Sequence, residues 1–117
     1  MQNYKDLKVW EKSHLFTLSV YQETKSFPKE EIYSLTNQIR RCASSIPTNI
    51  AEGCGKKTNQ ELAHYLNIAL GSANESEYFL ILSKDLTYLS DEKFETLFSL
   101  INEVKGMLIA LIIKVRA

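Results

Sequence analysis

The most constraining feature of the sequence is the spacing of its apolar residues, which recur at steps of three and four positions along most of the chain. This period matches the 3.6-residue turn of an α-helix and places the repeated side chains on one stripe of the helix surface. No window shows the strict alternation of a half-buried β-strand. The pattern therefore predicts an all-α protein.

The spacing predicts four helices. The first covers about residues 4–25 and carries the stripe Leu7, Trp10, His14, Leu18 and Tyr21. The second begins at Pro28, a residue suited to a first helical position, and its stripe is Ile32, Leu35, Ile39, Cys42, Ile46 and Ile50. The third extends to about Tyr88 with the stripe Leu62, Leu66, Ala69, Ala73, Ser76, Leu80 and Ser83. The fourth carries Phe94, Leu97, Ile101, Val104, Leu108, Leu111 and Val115.

Short breaks with recognisable end signals separate these helices. The run 53–57, Gly-Cys-Gly-Lys-Lys, ends the second helix, and Thr58 with Glu61 forms a capping box that begins the third. Ser90 is the cap of the fourth helix. Helices joined by short turns pack most simply as an antiparallel up-and-down four-helix bundle. We therefore expect residues 1–117 to form a single bundle domain.

Composition places the chain among ordered globular proteins. Hydrophobic residues make up 44% of the 117 residues, with only four Gly and two Pro. Residues 1–12 do not resemble a secretory signal, and the longest apolar run, residues 107–113, is far shorter than the roughly 20 residues that span a bilayer. These features predict a cytoplasmic location and no membrane partner. Cys42 and Cys54 are expected to be free thiols.

A metal-dependent enzyme is suggested only by two Glu-x-x-His pairs, Glu11 with His14 and Glu61 with His64. Di-iron bundles use two such pairs together with two further Glu. Folding the helices about their turns separates the two His by about six residues, on the order of 9 Å along the bundle. We therefore expect no catalytic residues, no metal site and no cofactor, and we interpret His14 as a histidine at the edge of the core.

Charge is balanced overall but uneven along the chain. The sequence has 14 basic and 14 acidic residues, yet residues 32–60 carry a local charge of +3 and residues 61–117 a local charge of −3. The basic residues of the first segment, Arg40, Arg41, Lys56 and Lys57, are candidate nucleic-acid contacts. The alternatives are an ion pair between one of the arginines and Glu75, and solvated lysines that have no partner.

Pro47 lies inside the second helix and removes the backbone bond to the carbonyl of Ala43. We expect a kink there, with Ser44 and Ser45 available to compensate the lost bond. A kink would re-aim the following loop, whose glycines and two lysines could then approach a phosphate backbone closely.

Residues 78–82 and 107–113 are apolar on every helical face. A bundle that buries one stripe per helix would leave part of this surface in water, and such patches usually mark interfaces. The alternative is an unusually wide core contact late in the third and fourth helices. We expect self-association.

Several motifs together resemble a known family. They are Tyr4-Lys5-Asp6-Leu7, Val9-Trp10, Phe27-Pro28, Gln38-Ile39-Arg40-Arg41, Ser45-Ile46-Pro47-Thr48-Asn49-Ile50-Ala51-Glu52-Gly53 and Ile68-Ala69-Leu70-Gly71-Ser72. At this spacing the chain resembles the bacterial four-helix-bundle family named for proteins encoded in intervening sequences of 23S ribosomal RNA genes. The likeness covers almost the whole chain.

This resemblance implies a non-enzymatic homopentamer of bundles that is associated with RNA or DNA. It also implies kinship with the accessory protein that assists reverse transcriptase in diversity-generating retroelements. In that picture, symmetry would repeat Arg40, Arg41, Lys56 and Lys57 and build a larger basic surface. A scaffold or adaptor that binds a protein partner, such as a reverse transcriptase, is the alternative function.

Overall fold

The computed structural model describes residues 2–117 and contains four α-helices. They are α1 (Lys8–Glu23), α2 (Leu35–Cys54), α3 (Asn59–Asp85) and α4 (Asp91–Arg116). Short 3-10 turns cover Tyr4–Asp6, Thr24–Ser26 and Lys29–Glu31, and no strand occurs in the described part of the chain. Each helix packs against the next, and α4 also packs against α1, which closes the bundle. The predicted all-α four-helix fold is confirmed.

The helix caps and the α3 core stripe agree with the sequence pattern. The hydroxyl of Thr58 accepts a hydrogen bond from the Glu61 backbone N–H at 3.1 Å, and that of Ser90 accepts one from Lys93 at 3.2 Å. All seven predicted α3 stripe residues are buried. In α4 the predicted stripe is buried from Phe94 to Leu108, and Ile112 continues it. Leu111 and Val115 are only partly buried.

The predicted α1 stripe is wrong from His14 onward, whereas Leu7 and Trp10 are partly buried against the core. The buried residues are Val9, Ser13, Phe16, Thr17 and Val20, whereas Leu18 is 53% exposed and His14 faces solvent. Two small polar residues can lie inside because their hydroxyls bond backbone carbonyls, Ser13 to Trp10 at 2.9 Å and Thr17 to Ser13 at 2.8 Å. Burial therefore leaves neither hydroxyl unpaired.

The boundaries of three helices differ from the expected ones. Helix α2 begins at Leu35 because a 3-10 turn and further turns follow Pro28, and Ile32 is consequently half-exposed. Helix α1 is confined to Lys8–Glu23, and α3 ends at Asp85. Thr87, with a φ of 65°, turns the chain between α3 and α4.

Helix α2 continues through Pro47, and a neighbouring helix satisfies the carbonyl that Pro47 cannot bond. The Thr17 hydroxyl of α1 lies 3.2 Å from the Ala43 carbonyl oxygen and shares its one hydrogen between this oxygen and the Ser13 carbonyl. The expected compensation by Ser44 and Ser45 is not what occurs, because those hydroxyls bond other groups. Pro47 and Thr17 therefore form one unit that joins α2 to α1.

The cysteines are buried free thiols, as predicted. Burial raises the pKa of Cys42 to about 11, against the smaller opposing effect of a hydrogen bond from Ser76. His14 is stacked on Trp10, with ring centroids 5.1 Å apart, and is exposed instead of lying at the core edge. Within residues 2–117, no group of three or more His, Cys, Asp or Glu side chains is placed to hold a metal ion.

Helix α4 is long and apolar enough to cross a membrane by length and composition. In the bundle, however, its core stripe is buried, and three of its charged residues pair with neighbouring helices. Lys93 lies 2.8 Å from Glu23. Lys105 lies 3.2 Å from Glu77, and Glu103 lies 3.4 Å from Lys12. We therefore interpret α4 as a bundle helix, and the cytoplasmic location stays a prediction.

Candidate nucleic-acid interface

Arg40 is bonded within the bundle. Its Nε donates to the Thr24 hydroxyl at 2.8 Å, and its Nη2 donates to the Tyr21 carbonyl at 3.4 Å. The guanidinium also lies over the Tyr21 ring, 4.8 Å from the centroid. Arg40 thereby joins α2 to the C-terminal end of α1, where a cation also complements the helix dipole.

Arg41 faces a different direction, about 100° around the helix from Arg40, and is exposed. It lines an open cleft between α2 and α3 together with Glu75. The two side chains do not form the ion pair considered above, since no nitrogen–oxygen distance between them is within 4.0 Å. Arg41 is therefore the arginine of this pair whose guanidinium is available to a ligand.

Lys56 and Lys57 lie together in the turn between α2 and α3. The ammonium of Lys56 is 5.2 Å from the centroid of the Tyr65 ring, whereas Lys57 is exposed. Gly53 does not serve phosphate approach as expected, because it is buried within α2 against α3. A Cβ at this position would lie 2.9 Å from the Cβ of Tyr65. This glycine lets the two helices approach closely.

The four predicted contacts do not form one compact patch on a single chain. Arg40 and Arg41 point about 100° apart on α2. Arg41 lies about 13 residues before the end of the helix, which places it roughly 20 Å along the axis from the two lysines. Their role as nucleic-acid contacts stays a prediction.

The fold brings further basic residues to the end of the bundle that holds Lys56 and Lys57. The N-terminal end of α1 and the C-terminal end of α4 both lie there, and Arg116 lines a surface cleft with Asn59 and Gln60. Residues 2–11, 52–61 and 112–117 form this end, hereafter the basic end, and contain six basic and four acidic side chains. The basic residues are Lys5, Lys8, Lys56, Lys57, Lys114 and Arg116.

The opposite end of the bundle is acidic. Residues 20–35 and 82–98 contain seven acidic and four basic side chains. The charge difference therefore runs along the bundle axis as well as along the sequence. Sequence reasoning missed this arrangement because its residues come from three remote segments, although the predicted antiparallel topology would have brought them together.

Apolar side chains remain exposed on α3 and α4. The solvent-exposed fraction is 57% for Tyr78, 38% for Ile81, 46% for Ile109 and 66% for Ile113. They lie within the two segments whose apolar residues encircle the helix. A second exposed pair, Leu15 and Leu18, lies on α1.

Comparisons with known proteins agree with this fold. Residues 5–110 match the family model described as 23S rRNA-intervening sequence protein. A crystal structure of a protein of unknown function from the S23 ribosomal protein family of Bacteroides thetaiotaomicron is 31% identical to the chain. The alignment covers 89% of this chain and 94% of that one, with a TM-score of 0.82. A search of curated proteins gives no match. The chain therefore belongs to the 23S rRNA-intervening sequence protein family.

Proposed function

We propose that the protein is a non-enzymatic homo-oligomer, a pentamer as its resemblance implies, that binds RNA or DNA through the basic end. The observation that carries this proposal is the axial separation of charge. Cyclic symmetry places equivalent residues of every subunit at the same level along the symmetry axis. Five copies would thus align their basic ends, and a modest charge per chain would become a basic ring.

The exposed apolar residues of α3 and α4 support assembly. Exposed apolar side chains grouped on one helix segment are candidates for an interface between copies. Tyr78 and Ile113 each leave more than half of their surface in solvent. Burying these side chains between copies would remove apolar surface from water, and this would stabilise the assembly relative to separate chains.

Electrophoretic binding to a structured RNA at several salt concentrations tests the nucleic-acid part. We expect affinity to rise steeply as salt falls, because each phosphate contact releases a condensed counterion. An absence of binding at low salt would contradict this part of the proposal.

Light scattering on the purified protein tests assembly separately. The chain has a mass of 13.4 kDa, and the proposal predicts a particle several times heavier, near five chains. A particle of one chain mass would contradict the interface argument.

A protein adaptor is the second candidate function, and the exposed leucines of α1 favour it. Leu15 and Leu18 are 50% and 53% exposed, and they lie on a different helix from the apolar residues of α3 and α4. A protein partner on this face would be retained from lysate after nuclease treatment, and Leu18→Ser would release it. A nucleic-acid-only function predicts no such retention.

A further inference from the structure

The cleft that contains Arg41 has a lining unlike that of an apolar ligand pocket. It is an open cleft between α2 and α3 with a volume of about 390 Å³. Small-molecule pockets are usually lined mainly by apolar and aromatic side chains. Six polar side chains line this cleft, namely Asn37, Gln38, Arg41, Ser45, Ser72 and Glu75. Such a lining suits a ligand that carries many hydrogen-bonding groups.

The floor of the cleft is held in place by a local hydrogen-bond network. The hydroxyls of Ser45 and Ser72 are 2.9 Å apart, and the Asn49 amide donates to the Ser45 hydroxyl at 3.0 Å. Only one of the two serine hydrogens is needed for the bond between them. Whichever serine donates, the other retains an O–H that this bond does not use. The cleft floor is therefore fixed and still holds a hydrogen-bond donor.

Cys42 forms the rest of the floor. Its Sγ accepts a hydrogen bond from Ser76 at 3.2 Å. Burial raises the pKa of this thiol to about 11, so the floor carries no charge near neutral pH. The charge of the cleft comes from its rim alone.

The rim presents one positive and one negative group without internal partners. Within residues 2–117, neither the Arg41 guanidinium nor the Glu75 carboxylate forms an ion pair. A guanidinium fork suits the geometry of a phosphate, whereas a carboxylate accepts hydrogen bonds and repels a phosphate. Two such groups at one cleft orient a ligand that has an anionic part and a part rich in N–H donors.

A nucleotide of unpaired RNA has both parts. Sequence-specific RNA recognition targets unstacked bases and reads their hydrogen-bonding edges. Guanine offers two adjacent donors to a carboxylate, N1–H and N2–H. Adenine and cytosine each offer an amino group, whereas uracil flanks its single N–H with two carbonyl oxygens that a carboxylate repels.

We propose that this cleft binds one unpaired nucleotide, with its phosphate on Arg41 and a donor-bearing base, guanine foremost, on Glu75. The exposed amides of Asn37 and Gln38 would complete the contacts to the base edge or the ribose. This inference rests on the proposed nucleic-acid function. It assigns sequence preference to the α2–α3 cleft and sequence-independent attraction to the basic end.

Fluorescence anisotropy with two labelled RNAs tests the proposal: an oligouridylate, and the same oligomer with one central guanosine. We expect the guanosine to raise the affinity at least about fivefold. Glu75→Gln should abolish most of that preference and still bind both RNAs. Arg41→Ala should weaken binding to the guanosine RNA more than Arg41→Lys does. Lys57→Gln, outside the cleft, should weaken both RNAs equally.

The outcomes separate the cleft from the proposed function. Binding of both RNAs with equal affinity would overturn the cleft assignment and leave the nucleic-acid function standing. A preference that survives Glu75→Gln would also overturn it. No binding of either RNA at low salt would overturn both proposals. Light scattering on Glu75→Gln and Arg41→Ala supplies a further check, since a changed particle mass would make this cleft an interface between copies.

Discussion

At the scale of single residues, the bundle depends on positions where one side chain satisfies a specific steric or polar need. Gly53 is one of them, because the space that a side chain would need is filled by α3. A Cβ there would lie 2.9 Å from the Tyr65 Cβ and 3.0 Å from the Leu62 Cδ1. At Gly71, also inside a helix, such a Cβ would meet no atom within 4 Å apart from its chain neighbours and the backbone of its own helix.

We predict opposite effects of Gly→Ala substitution at these two positions. Gly53→Ala should lower the free energy of unfolding by about 1–2 kcal/mol, because overpacking outweighs the gain in helix propensity. Gly71→Ala, the matched control, should raise it by roughly 0.5–1 kcal/mol. Chemical denaturation of both variants measures the effects. A Gly53→Ala protein as stable as Gly71→Ala would contradict the close-packing role.

The buried Cys42 thiol predicts a pH dependence of stability. Its pKa is raised to about 11 in the folded protein, so the unfolded chain loses this proton at lower pH than the folded one. Between about pH 9 and pH 11 the unfolded state binds fewer protons, and the free energy of unfolding must fall as pH rises. Cys42→Ala should make this fall shallower in denaturation measured across that range. An identical slope in both proteins would refute the assignment.

At the scale of elements, spacing predicted the core face of a helix well where large apolar residues recur regularly along it. The α3 stripe was predicted completely, since the large and small residues that recur along it all face inward. Helix α1 was mispredicted because Ser13 and Thr17 occupy its core face. A Ser or Thr hydroxyl that donates to a backbone carbonyl can be buried without an unsatisfied hydrogen bond, and the spacing of apolar residues does not reveal such a bond.

The contact between Thr17 and the Ala43 carbonyl makes α1 and α2 interdependent. Thr17→Val should lower the free energy of unfolding by about 1–3 kcal/mol, because a buried carbonyl loses its partner. Pro47→Ala restores a backbone N–H at position 47 that can bond the same carbonyl. In that background we expect Thr17→Val to cost about 1 kcal/mol less, as a double-mutant cycle would show. Strict additivity would mean that the two residues do not share this carbonyl.

Part of the candidate site could be predicted from the sequence. Adjacent arginines on a helix must diverge, so the sequence indicated that the two guanidinium groups do not face the same partner. Which of the two is structural depends on Thr24, 16 residues earlier, whose hydroxyl accepts from Arg40. Only the packing of α1 against α2 reveals that bond. The cleft beside Arg41 likewise depends on Glu75 and Ser72 of a different helix.

At the scale of the whole molecule, net charge conceals the arrangement that matters for the proposed function. The chain has a formal net charge of +0, yet the bundle places basic side chains at one end and acidic ones at the other. The three segments of the basic end are about 50 residues apart in the sequence. A charge count over residues 32–60 therefore includes only two of its basic residues, Lys56 and Lys57. Symmetric assembly would multiply this polarity without any change in net charge.

The salt dependence of RNA affinity in two matched double variants tests the proposed basic end most directly. Lys56→Gln with Lys57→Gln removes two charges at the basic end, and Lys25→Gln with Lys29→Gln removes two exposed lysine charges at the acidic end. We predict that the first pair lowers affinity for every RNA and reduces the slope of log affinity against log salt by about two for each subunit whose basic end contacts the RNA. The second pair should leave that slope unchanged. Equal slopes in both variants, or a larger loss from the acidic-end pair, would contradict binding through the basic end.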